Sequence, residues 1–153
     1  MDTKLHFLVV NDSPLLQQVM VSLLKEIGYL KVSEAIDGQM ALRAIKTAAA
    51  VGNPVKFMIT DCAMPFMDGL ELIRTIRGAP EMKGVPILVV TEEATKDNVL
   101  AALQAGADGY VVRPFKATSL RGKVESLLVK RGLKEAEVSL KSFRPFLRDR
   151  PGE

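Results

Sequence analysis

Four short apolar runs in this chain each end in polar residues, and helical periodicity fills the gaps between them. Leu5 to Val10 ends in Asn11-Asp12, Val55 to Thr60 ends in Asp61, Val85 to Val90 ends in Thr91, and Tyr110 to Val112 ends in Arg113. Such runs suit strands buried on both faces, and parallel pairing needs a crossover of helical length after each. Parallel strands would bring these ends side by side, where an open α/β sheet forms its binding crevice. The crevice would hold two carboxylates, an amide, a hydroxyl and a guanidinium. Those groups suit one divalent cation and one phosphoryl group.

Local signals punctuate the helices. Ser13-Pro14 offers an N-cap and a first-turn proline, followed by Leu16, Val19, Met20, Leu23, Leu24 and Ile27 at helical spacing, with Gly28 as the stop. Leu30–Ile36 reads as a second strand, more polar and so nearer an edge. Asp37 caps a helix through Ala41, Ile45 and Ala48. Met64 to Gly69 forms a loop in which Asp68 starts a helix with Leu72, Ile73 and Ile76 inward. Thr95 caps a helix that Gly106 ends, and Phe115–Lys130 forms the last, with Leu120, Val124, Leu127 and Leu128 on one face. Five β/α units predict a doubly wound five-stranded parallel sheet joined by right-handed crossovers.

This domain takes residues 1–130. The extension, 131–153, keeps a helical period through Leu133, Ala136, Leu140 and Phe143, which Pro145 ends; disorder is expected from Arg148 onward. At 153 residues, 48% of them hydrophobic, the chain has room for one proper core. No apolar run reaches the roughly 18 residues that would span a bilayer, and the N-terminus leads into a strand rather than a secretory signal. Cys62 is alone, so no internal disulfide forms and a cytoplasmic location is expected. Residues 1–112 carry 10 Lys/Arg against 13 Asp/Glu, whereas residues 113–153 carry 11 against 5. A solvated basic face explains that tail better than nucleic-acid binding, because no helix-turn-helix fits after residue 130 and no zinc-ligand or aromatic-basic pattern is present.

With these residues placed, the chain resembles the receiver domains of bacterial two-component response regulators, most closely the single-domain chemotaxis type. The resemblance covers residues 4–130 and rests on four blocks: Val9 to Ser13, Asp61 with Met64 to Leu72, Val89 to Thr91, and Ala105 to Phe115. It implies a flavodoxin-like strand order, 2-1-3-4-5. It also implies that Asp61 accepts a phosphoryl group from a histidine kinase, with Mg²⁺ held by Asn11, Asp12, Asp61 and the Ala63 backbone carbonyl. Thr91 would bind the arriving phosphoryl group and Arg113 would contact it. Tyr110 would turn inward as Thr91 moves, changing a docking face for a downstream protein. A cis peptide between Arg113 and Pro114 belongs to the same pattern. So do self-phosphorylation and slow autodephosphorylation without turnover as an enzyme.

Three positions depart from that pattern. Arg113 stands where Lys is usual, Asn11 where an acidic residue is usual, and Glu92 where a small residue is usual. Arg113 keeps the charge but changes its shape and reach, and a surface salt bridge stands beside phosphate contact as its expected role. Asn11 removes one negative charge from the cation site. These changes leave open a degenerate receiver that binds partners without phosphorylation. An aspartyl phosphatase is disfavoured because Ala63 sits where a second Asp would act. The apolar stripe of the extension either packs on its own domain or binds a partner, including a second copy of the chain.

Overall fold

The computed structural model describes residues 4–61, 69–80, 82, 84–92 and 95–131. The expectations placed on Ala63, on the Met64–Asp68 loop and on residues 132–153 lie outside the described residues.

Strands and helices alternate from end to end: β1 (His6–Val10), α1 (Pro14–Glu26), β2 (Lys31–Ala35), α2 (Gly38–Ala50), β3 (Phe57–Asp61), α3 (Gly69–Gly78), β4 (Ile87–Thr91), α4 (Lys96–Ala105), β5 (Gly109–Val112) and α5 (Ala117–Lys130). All strands pair in parallel in the order β2-β1-β3-β4-β5. The most polar strand, β2, lies at one edge, as its composition predicts.

Period-two alternation divides each strand between two cores. Leu8, Val10, Met58, Ile87 and Val89 face α2, α3 and α4, where Ala41, Ile45, Leu72, Ile73, Ile76 and Ala102 cover them. Phe7, Val9, Phe57, Ile59, Leu88 and Val90 face α1 and α5, against Met20, Leu24, Leu120, Val124 and Leu128. Phe7 stacks on Phe57 and on Tyr29, with ring centroids 4.9 and 4.5 Å apart.

The three expected caps form. Ser13 Oγ accepts from the Leu16 amide at 3.3 Å, Asp37 Oδ1 from Met40 at 2.8 Å and Thr95 Oγ1 from Asn98 at 3.1 Å. Helix α5 begins at Ala117 rather than Phe115, because Pro114 and Phe115 stay in the turn and Phe115 packs on the core instead. Gly106 ends α4 at φ +120°, and a Cβ there would lie 2.5 Å from Arg77 Cγ, so both backbone and space require glycine.

Candidate functional site

Strand register assembles the site. Val10 pairs with Thr60, Asp61 with Val90, and Thr91 with Val112, so the chain ends holding Asn11-Asp12, Asp61, Thr91 and Arg113 lie along one edge of the sheet. Backbone hydrogen bonds carry the ladder beyond the strands: Asn11 N–H donates to Ala35 O at 3.0 Å, and Arg113 N–H donates to Thr91 O at 2.8 Å. Beneath this crest, buried Gln17 donates from Nε2 to Ala35 O at 2.8 Å and tethers α1 to the end of β2. Thr60, also buried, donates to Asp61 O at 2.9 Å.

Asn11, Asp61 and Arg113 line a single cavity of about 220 Å³, roofed by Leu16, Val19 and Met20 of α1. Asp12 is exposed and, like Thr91, does not line this cavity, while Asp61 and Thr91 are half-buried. Arg113 follows β5, precedes a cis proline and places Nη2 3.0 Å from Glu92 Oε1. The salt bridge weighed for Arg113 is therefore present, with a partner that sequence did not suggest. Nε and Nη1 of the same guanidinium are buried without an acceptor among the described residues.

Asp12 and Asp61 carry carboxylates, the hard oxygen donors that small divalent cations take. Asn11 is more constrained than expected. Its Oδ1 accepts from Ser13 N–H at 2.8 Å, so the side chain shapes the turn into α1. Asn11 thus has one amide lone pair left for a metal or its water. Among the described residues, no group of three or more His, Cys, Asp and Glu that could hold a metal ion is found.

Tyr110 lies on β5 opposite Val89, half-buried, with Lys123 Nζ 5.6 Å from its ring centroid. It packs against the core between the sheet and α2, α3 and α4. His6 donates from Nδ1 to Asn53 O at 2.8 Å and meets Ser33 Oγ at 2.6 Å through Nε2. A carbonyl can only accept, so the Nδ1 proton is assigned. His6 therefore fastens β1 to its neighbours at the end of the sheet away from the site.

A parallel five-stranded sheet of this order, with aspartates and an arginine at the carboxyl ends of its strands, defines a receiver-type fold. The response regulator receiver domain model matches residues 7–125, and the chain belongs to that family. It is 37% identical over 123 residues to the chemotaxis protein CheY of Pseudomonas aeruginosa, covering 80% of this chain and 95% of that one. With CheY-3 of Vibrio cholerae it shares 33% over 127 residues, 83% and 94% of the two chains. Among solved structures, CheY4 of Vibrio cholerae superposes with a TM-score of 0.73 at 30% identity, covering 81% of this chain and 98% of that one. The receiver domain of a Pseudomonas aeruginosa sensor histidine kinase, with a magnesium ion in its active site cleft, matches at 0.70 and 29%, covering 82% and 98%. Receiver domains act in two-component phosphorelay signalling and are not classed as enzymes. No helix among the described residues is long and apolar enough to cross a membrane.

Proposed function

We propose that this chain is a phosphorylation-driven switch in which Asp61 receives a phosphoryl group from a histidine kinase and a docking face responds. One observation carries the reading: the strand register sets Asn11, Asp61 and Arg113 on one cavity, with Thr91 on the next strand. An Asp61 carboxylate oxygen attacks phosphorus in line as the bond to the donor imidazole nitrogen breaks, and the electron pair leaves with that nitrogen. Such transfers rely on positioning and charge stabilisation. Asp12 and Asp61, with the residue 63 carbonyl that the resemblance implies, would hold Mg²⁺, whose charge would offset the repulsion between two anions. Asn11 orders the turn that presents Asp12. Thr91 donates its hydroxyl to the transferred group, and Arg113 supplies the cation that matches it.

The surface formed by α4, Tyr110 and α5 is the proposed output, read by a downstream protein. Tyr110 is half-buried, so a change at Thr91 can shift it further inward. The reducing cytoplasm suits a chain whose only cysteine is Cys62. Intact mass after treatment with acetyl phosphate and Mg²⁺ tests the reading: one phosphoryl mass is gained by the native chain and none by Asp61→Ala. No gain in either removes it. The degenerate reading draws support from the engagement of Arg113 by Glu92 and of Asn11 Oδ1 by Ser13. It predicts no change in the Tyr110 environment when beryllofluoride and Mg²⁺ are added.

A further inference from the structure

Arg113 is a cation held by too little. Its side chain is only 16% exposed, its acceptor among the described residues is Glu92 at 3.0 Å, and Glu92 is itself 72% exposed. Nε and Nη1 are buried and meet no acceptor among the described residues. A buried donor without a partner is costly, whereas an exposed carboxylate gives up an ion pair cheaply. The guanidinium therefore has much to gain from a second anion, and its present partner has little to lose.

Backbone geometry fixes the pairing. Glu92 follows Thr91 directly, and Arg113 N–H is bound to Thr91 O at 2.8 Å, so the two side chains leave adjacent points at the ends of β4 and β5. In a planar guanidinium both two-point donor edges include Nη2, so an acceptor on Nη2 alone satisfies neither edge fully. A phosphoryl group brings three acceptor oxygens and close to two negative charges. It can engage the nitrogens that Glu92 leaves empty, and its charge opposes that of the Glu92 carboxylate.

We propose that Glu92 is a removable counter-ion for Arg113. It holds the guanidinium by Nη2 while Asp61 is unmodified and yields it when a phosphoryl group arrives, and so weakens the hold of the site on that group. The proposal rests on Asp61 as the phosphoacceptor. Glu92 acts through Arg113 and is a positioning residue, not a catalytic one.

The test is a titration of beryllofluoride, with saturating Mg²⁺, into the native chain, Glu92→Gln, Arg113→Ala and the double variant, at low and high salt. Glu92→Gln should tighten binding about twofold to fivefold, the ratio matching an exposed ion pair. High salt should shrink that gain, and in the Arg113→Ala background it should vanish. Equal or weaker binding by Glu92→Gln, a gain unaffected by salt, or a gain that survives loss of Arg113 overturns the proposal while leaving Asp61 in its role. If no chain binds beryllofluoride, the phosphoacceptor reading fails first and takes this one with it.

Discussion

The two ends of the sheet treat buried charge in opposite ways. At the carboxyl ends of the strands, Arg113 has, among the described residues, one exposed acceptor and two buried donors left over. At the amino ends, Asp108 has a side chain only 2% exposed and is fully engaged. Arg77 Nη2 donates to Asp108 Oδ2 at 2.7 Å, the Ile87 amide donates to the same oxygen at 2.8 Å, and Arg131 Nη2 lies 2.7 Å from Oδ1. Arg77 also donates to Gly106 O and Val85 O, at 2.8 and 2.7 Å. Burial pulls the Arg77 guanidinium below its ordinary value, Asp108 opposes that, and Arg131 adds to it. One end is satisfied and ties α3, β4 and α5 together. The other keeps unmet hydrogen-bonding capacity where a ligand would arrive. A buried network that is complete serves stability, and one that is incomplete marks where binding energy remains to be gained.

Removing Asp108 should give the largest loss of stability. Asp108→Ala leaves the Arg77 charge with carbonyl acceptors but without its carboxylate partner, and breaking a buried pair by deleting one partner costs about 3–5 kcal/mol. Urea unfolding should show that loss, while the folded fraction still takes up phosphate on Asp61. A cost under about 1 kcal/mol would mean that solvent reaches this end of the sheet and that the contrast is false. Gly106→Ala comes next, at about 2 kcal/mol or somewhat more, since it adds positive-φ strain to a clash with Arg77. Its effect should largely disappear when Arg77 is shortened to Ala in the same chain, apart from the backbone part.

Sequence disclosed the local half of this architecture and little of the pairing. Ser13, Asp37 and Thr95 were recognisable as caps because a cap is a contact across three residues. Strand type followed from apolar runs, and the site residues from their place at the ends of those runs. The strand order came from family resemblance, because periodicity says nothing about which strands are neighbours. What stayed hidden was long-range. Glu92 and Arg113 are 21 residues apart, Arg77 and Asp108 are 31 apart, and His6 reaches Asn53 across 47. A charged residue announces that it needs a partner without saying which one. Asn11 shows a subtler limit: its residue type suggested a ligand, while its actual hydrogen bond to Ser13 makes it part of the turn.

The smallest expected effect has the opposite sign from the others, which makes it the sharpest test of the comparison. Arg113→Met keeps most of the apolar stem, which packs beside the cavity, and removes the two stranded donors together with a weak surface pair. Orphaned buried donors cost about 1–3 kcal/mol, and the lost pair with an exposed glutamate returns at most about 1 kcal/mol. Arg113→Met should therefore stabilise the unphosphorylated fold by about 1 kcal/mol, read as a higher urea midpoint at unchanged slope. The same variant should take up phosphate on Asp61 more slowly than the native chain. Sites that bind anions commonly carry such a trade between stability and function. A lower midpoint would show that Arg113 is already well satisfied where it stands, and the asymmetry between the two ends of the sheet would lose its functional meaning.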